Sequence, residues 1–257
     1  MNIPELAARQ LADYDAVQPG MMFADGITLS VEEAYTVQSA VADLRVKRGE
    51  KVIGYKVGCT SPKIQSQLGI NHCITGRLYD SEKHTSGATI EHSQFANLAI
   101  EGELAVELSR EPGNEDFVEG SIPACVSRVF PVIELHHYVQ RGEQPSAGEL
   151  IANNAIHGGI VTGEGVPIEN FQRLEAEPSL SIYQDDQLLE DCSGEGLIAT
   201  ISNSLQWLAG VVRGRGQQLD AGQIILAGSI PSLIPVESEC LLRVEAPPFG
   251  VVEARIG

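Results

Sequence analysis

Basic residues are scarce in this chain. Its 257 residues include 17 Lys and Arg against 35 Asp and Glu, a formal net charge of −18. A field of that sign repels phosphate backbones and anionic lipid, so neither nucleic acid nor a membrane surface is an expected partner. An anionic small molecule remains admissible if something positive holds it locally, and a divalent cation fills that role. Cysteine is also sparse: Cys59, Cys73, Cys125, Cys192 and Cys240 are odd in number and none has C-x-x-C spacing. That pattern leaves a zinc ribbon or a dithiol redox pair unsupported, and reduced, buried thiols of a cytosolic protein are expected. No apolar run approaches the ~20 residues that span a bilayer. The opening MNIPELAARQ has neither the basic start nor the apolar stretch of a targeting segment, so the expected location is cytoplasmic. Nucleotide-binding signatures of the G-x-x-x-x-G-K-[ST] and G-x-G-x-x-G types are missing, as is a G-x-S-x-G nucleophile elbow.

What is present reads as one main domain with a modest extra segment, long enough to bury a core without staples. The 26 Gly and 13 Pro suggest many tight turns and hence many strands. The first 50 residues read as helical. Ile3, Leu6, Leu11 and Tyr14 share one face, and Ser30 with Glu33 forms an S-x-x-E capping box. Ala34, Val37, Val41 and Leu44 then recur at helical spacing, up to a stop at Gly49. Beyond residue 50 the texture is β. The spacing predicts strands at 51–58, 98–109, 128–137, 157–163 and 223–229, and hairpins turning at Asp185–Asp186 and at Pro247–Pro248. A short helix is expected over 61–69 and a longer one over 196–212. Strands and helices do not alternate strictly, which disfavours a doubly wound sheet.

The sharpest chemical signal is Glu101-Gly102-Glu103 inside an apolar strand. Residues two apart on a strand point the same way, so the two carboxylates are neighbours. They repel unless a cation sits between them, and hard oxygen ligands select Mg²⁺, Mn²⁺ or Ca²⁺. The same spacing also fits the wet face of an amphipathic strand, which Glu107 continues. Glu134, within PVIEL, is a lone carboxylate in an apolar run, either a further ligand or a strand-end surface residue. His136 and His137 have no second cluster at ligand spacing and read as surface or hydrogen-bonding histidines. Lys56 is the only charge between Val52 and Cys59. Buried, it would have a lowered pKa and could shuttle protons; exposed, it would be a plain surface lysine. Asp80 is a weaker acid–base candidate. Gly228-Ser229 closes a strand with small residues that let backbone N–H groups approach an anion.

Taken together, these segments resemble the fumarylacetoacetate hydrolase superfamily, and within it the branch of 2-keto-4-pentenoate hydratases and 4-oxalocrotonate decarboxylases. GYKVGCTSPKIQSQLGI (54–70) resembles a G-x-K-x-G-x-T-S/H-P-x-x-x-x-x-L-G motif, EGELAVEL (101–108) the E-x-E strand, and PVIELHHY (131–138) the P-x-I-E segment. IANNAIHGGIVTG (151–163) and DAGQIILAGS (220–229) are similar to two further segments of the branch. The resemblance runs over almost the whole chain. It implies an α+β fold: a mixed, curved β-roll over 51–257 preceded by a small helical segment, 1–50, in a homo-oligomer. It assigns Glu101, Glu103 and Glu134 to a metal, Mg²⁺ or Mn²⁺, and Lys56 with Asp80 to proton transfer. Ser61 and Ser229 fall where small polar residues hold the substrate carboxylate. The implied reaction is hydration of a 2-hydroxydienoate or 2-oxo-4-enoate acid through a metal-stabilised enolate. Decarboxylation of a 4-oxalocrotonate-type 2-oxo acid shares that enolate. C–C bond hydrolysis and a non-catalytic small-acid-binding protein are further alternatives. The chain departs from the branch at Asn153, where Asp is usual, at Ala199-Thr200-Ile201-Ser202, where Gly-His-Pro is common, and over 136–149.

Overall fold

The computed structural model describes residues 2–118, 120–139, 145–171 and 177–257. Residues 140–144, part of the divergent stretch 136–149, lie outside the described residues. The chain opens with three helices: α1 (Ile3–Asp15), α2 (Met21–Ala24) and α3 (Val31–Lys47). The capping box starts α3 as the sequence predicts, with Glu33 N–H donating to Ser30 Oγ and Ser30 N–H to Glu33 Oε2. Next come β1 (Val52–Gly58), α4 (Pro62–Gln67), β2 (Ile74–Tyr79), β3 (Lys83–Thr85) and β4 (Ala88–Ile90). The long strands β5 (Leu98–Leu108) and β6 (Val126–His137) form the spine. They are followed by α5 (Ala147–Ala152), β7 (His157–Thr162), β8 (Val166–Pro167) and α6 (Ile168–Phe171). The chain ends with β9 (Ser179–Gln184), β10 (Gln187–Ser193), α7 (Glu195–Gly214), β11 (Ile224–Leu226), β12 (Ile234–Pro235), β13 (Cys240–Glu245) and β14 (Val251–Ile256).

A nine-stranded sheet runs β2-β1-β11-β5-β6-β7-β3, with β12 beside β5 and β8 beside β6. It is mixed: β1 pairs parallel with β11 and β3 with β7, whereas β5, β6 and β7 pair antiparallel. A second sheet, β10-β9-β13-β14-β4, packs against it. One hydrophobic core joins both sheets to α7, whose Leu197, Ile201, Leu205, Leu208 and Val212 meet Val106, Val129, Ile182 and Val244. This is the expected curled α+β roll. The turn between β9 and β10 falls at Asp185 and Asp186, both with positive φ, as the hairpin reading requires.

The amino-terminal helices share a separate core with the middle of the chain. Met22, Ala34 and Val37 pack with Ile74, Ile151 and Ala155. The link matters for the site, because α5 leads into a turn in which Asn154, Ala155 and Ile156 all have φ between 54° and 57°. Three consecutive non-glycine residues in the left-handed region persist only where surrounding contacts impose them. Asn154 supplies two: its Oδ1 accepts from Arg77 N–H at 2.7 Å and its Nδ2 donates to Arg77 O at 2.8 Å. Of the cysteines, Cys125 and Cys240 are buried while Cys59, Cys73 and Cys192 are half-buried, and all five are free thiols. No helix among the described residues is long and apolar enough to cross a membrane.

Candidate active site

The pairing of β5 with β6 sets Glu101 directly opposite Glu134 and Glu103 opposite Val132. Alternation along each strand then brings Glu101, Glu103, Glu134 and His136 to one face. Gly102 points the other way, into the core. A Cβ there would come within 2.8 Å of Ile182 Cδ1 and 3.1 Å of Val244 Cγ2, so the residue between the two glutamates has almost no room for a side chain.

This face floors a cavity of about 390 Å³, within the range of small-molecule sites. Lys56, Ser61, Glu101, His136 and Ser229 all line it. Lys56 comes from β1, and its Nζ lies 2.9 Å from Glu134 Oε1 and 3.3 Å from the carbonyl of Ala155. Ser61 caps α4, accepting from Lys63 N–H at 3.3 Å. Ser229 donates to Pro231 O at 2.7 Å. Behind the floor, Glu134 is completely buried and Glu103 is 2% exposed. Glu103 Oε2 accepts from Gly228 N–H at 2.9 Å. His157, at the start of β7, places Nδ1 2.7 Å from Glu134 Oε1. A carboxylate only accepts, so that nitrogen carries the proton.

Burial alone pushes an ammonium toward neutrality, but Glu134, Glu101 and Glu103 outweigh it and hold the Lys56 pKa above its usual value. This corrects the lowered pKa expected from a buried lysine read in isolation: the carboxylates around it decide the sign. Burial and the charges of Glu134 and Glu101 push the Glu103 carboxyl well above the usual range. Burial acts on Glu134 in the same direction, yet Lys56, His136 and His157 pull its pKa below the usual value.

Some buried atoms stay unpartnered: Glu134 Oε2, both ring nitrogens of His136 and His157 Nε2. One atom each from Glu101, Glu134 and His136 lie within 4.8 Å of one another. A convergence of buried lone pairs is costly without a cation, and oxygen and imidazole donors suit a divalent one, so the residues fit a metal.

The structure thus brings together Lys56, Glu101, Glu103, Glu134, Ser61 and Ser229. It does not bring Asp80. That residue is exposed at the far end of β1, where its backbone N–H donates to Lys51 O and its Oδ1 accepts from Lys51 N–H at 2.8 Å. Its carboxylate is a backbone cap, remote from the cavity. His136 and His137 are buried, at 1% and 4% exposure, which corrects a surface reading. His136 is also the residue that sequence reasoning missed. Its signal was the i, i+2 spacing from Glu134, the same relation that singled out Glu101 and Glu103. His157 had no such signal, since only the pairing of β6 with β7 brings it to Glu134.

No family model matches the chain. Curated proteins do. The chain is 27% identical over 237 residues to a 2-keto-4-pentenoate hydratase of Paraburkholderia xenovorans strain LB400, covering 91% of this chain and 87% of that one. It is 25% identical over 252 residues to a 4-oxalocrotonate decarboxylase of Pseudomonas putida, covering 98% and 92%. Among solved structures, the 4-oxalocrotonate decarboxylase from Pseudomonas putida G7, complexed with magnesium and adipate, superposes with a TM-score of 0.86 at 23% identity, covering 99% and 97%. A fumarylpyruvate hydrolase from Pseudomonas aeruginosa, in complex with Mn²⁺ and pyruvate, gives 0.60 at 15% identity, covering 79% and 88%. The last two identities speak for the fold.

Proposed function

Because the chain belongs to the 2-keto-4-pentenoate hydratase and 4-oxalocrotonate decarboxylase branch of the fumarylacetoacetate hydrolase superfamily, we propose that it is a divalent-metal-dependent hydratase. This carbon–oxygen lyase acts on a 2-hydroxydienoate or 2-oxo-4-enoate acid. The observation that carries the reading is the convergence of Glu101 and His136, on the floor of a cavity that also holds a buried lysine, with Glu134 directly behind them. Glu101 and Glu134 would hold Mg²⁺ or Mn²⁺, with Glu103 adding its charge from the same face. When bound, the cation supplies positive charge that stabilises the enolate of a 2-oxo acid.

The protein's own groups do the rest. Ser61 and Ser229, both lining the cavity, hold the substrate carboxylate by hydrogen bonds, Ser229 turning its proton from Pro231 O to the substrate. Lys56 moves the proton. In the metal-free centre the surrounding carboxylates hold its pKa up, so it begins as an ammonium, able to donate a proton to C5 as the dienol ketonises and to recover one from the water that adds at C4, while the enol's own proton ends on C3. Glu134 Oε1 and the Ala155 carbonyl fix the position of Nζ, so that transfer needs little side-chain reorganisation. The protein works in the cytoplasm as a homo-oligomer on this reading, and light scattering tests the assembly.

The test is product analysis after incubating the metal-loaded protein with 2-hydroxypenta-2,4-dienoate. Loss of dienoate absorbance with gain of one water is the expected result. Release of CO₂ from a 4-oxalocrotonate-type acid, with no hydration, would instead make it a decarboxylase. Turnover of no 2-oxo acid at all would reduce it to a binding protein.

A further inference from the structure

Where β5 meets β6, three atoms with lone pairs face one another. His136 Nε2 lies 3.3 Å from Glu101 Oε2 and 3.6 Å from Glu134 Oε2. Neither contact forms a hydrogen bond, and the other ring nitrogen of His136 has no partner either. The imidazole is 1% exposed, so water does not relieve it from outside the cavity. An unpaired imidazole beside an unpaired carboxylate oxygen, both buried, costs free energy unless one further group satisfies both. Glu134 shows which oxygen is left for that group. Its Oε1 is taken by Lys56 at 2.9 Å and His157 at 2.7 Å, while Oε2 is turned toward His136. Glu103 has one oxygen committed to Gly228 N–H.

We infer that His136 is itself a ligand of the divalent cation, which makes the centre a mixed imidazole–carboxylate site that favours later first-row metals over Mg²⁺. The inference rests on the metal-dependent reading above and adds the residue that sets metal preference. Mg²⁺ takes oxygen ligands, whereas an imidazole nitrogen strengthens binding of the later transition ions. His157 is a positioning residue in this arrangement: its Nδ1–H fixes the Glu134 carboxylate so that Oε2 meets the cation beside His136 Nε2.

The test reads metal binding, without substrate. The full chain is stripped with a chelator, and Co²⁺ and Mg²⁺ are titrated by calorimetry into wild type, His136→Gln and His157→Gln, each checked for folding by thermal melting. In His136→Gln, Co²⁺ affinity should fall by about tenfold or more, as much as removing an outer-shell partner usually costs. Mg²⁺ affinity should change far less, so the preference narrows. Pulsed electron paramagnetic resonance of the Mn²⁺-loaded wild type should show the ¹⁴N coupling of a directly bound imidazole. That coupling should vanish in His136→Gln and persist in His157→Gln. An unchanged Co²⁺/Mg²⁺ ratio in folded His136→Gln overturns the inference, as does ¹⁴N coupling that disappears only in His157→Gln. If His136→Gln does not fold, the wild-type spectrum decides alone: no ¹⁴N coupling overturns the assignment. A nitrogen-ligated site that turns over no 2-oxo acid would sink the proposed reaction and leave this inference standing.

Discussion

Lys56 Nζ lies 2.9 Å from Glu134 Oε1, and both side chains are buried, at 4% and 0% exposure. The pair ties β1 to β6 across the floor of the cavity and joins the one buried ammonium there to the acid cluster. Lys56→Met keeps the bulk of the stem and removes the charge. Turnover should fall about 10²-fold or more, the range that general acid–base groups usually contribute. Because Glu134 then loses one of its two Oε1 partners, the melting temperature of the metal-free protein should drop as well; truncating one member of a buried pair is costly. Wild-type kcat in a folded Lys56→Met protein would return this lysine to a structural role.

Glu103→Gln keeps the shape of the side chain and the acceptor for Gly228 N–H, but removes a charge. Metal affinity measured by calorimetry should weaken strongly. Affinity for Mg²⁺ and Mn²⁺ equal to wild type would separate Glu103 from the centre.

Gly76, on β2, faces the left-handed turn at 154–156. A Cβ there would approach the Asn154 carbonyl oxygen to 2.5 Å, and backbone cannot yield as a flexible side chain can. Gly76→Ala should therefore displace the turn that carries the Ala155 carbonyl to Lys56. The expected cost is about 1–3 kcal/mol of stability together with a lowered kcat. An unaltered melting temperature and kcat would mean that the turn is not held from this side.

Much of this site was legible because a strand has a strict period of two. That rule put Glu101 and Glu103 together, and applied to Glu134 it would also have found His136. The resemblance supplied Glu134, whose partner across the sheet depends on register between segments about thirty residues apart. Other features had no local trace. Nothing in ANNAI announces three left-handed residues, since Asn154 is held there by Arg77, on a distant strand. His157 reaches Glu134 only through β6–β7 pairing. Asp80 misled for the complementary reason: its place in the sequence lies near a site motif, but its carboxylate folds back on the Lys51 backbone. The fold was more open to reading, because long apolar strands, a capping box and two hairpin turns each carry their own local chemistry.

His137 points to the face opposite His136, between Tyr14 and Phe95, and its Nδ1 accepts from Ala96 N–H at 3.2 Å. Burial, then the nearby His157, His136 and Arg45, lower its pKa to about 4. The unfolded chain takes up this proton near pH 6.5 and the folded chain only near 4, so between those values the unfolded state binds more protons. Stability should therefore fall as pH drops through that window, with His137 contributing on the order of 3 kcal/mol. His137→Gln keeps an acceptor for Ala96 and should flatten the slope between pH 6.5 and 4 in denaturant titrations. An identical slope in the variant would assign the acid sensitivity elsewhere.

The most direct measurement is the rate of 2-hydroxydienoate consumption by chelator-stripped protein, before and after Mg²⁺ or Mn²⁺ is restored, in wild type and in Glu134→Gln. The account predicts no turnover in stripped wild type, recovery on adding back either metal, and no recovery in the variant. Full-rate consumption by the stripped protein, or by metal-restored Glu134→Gln, would contradict it.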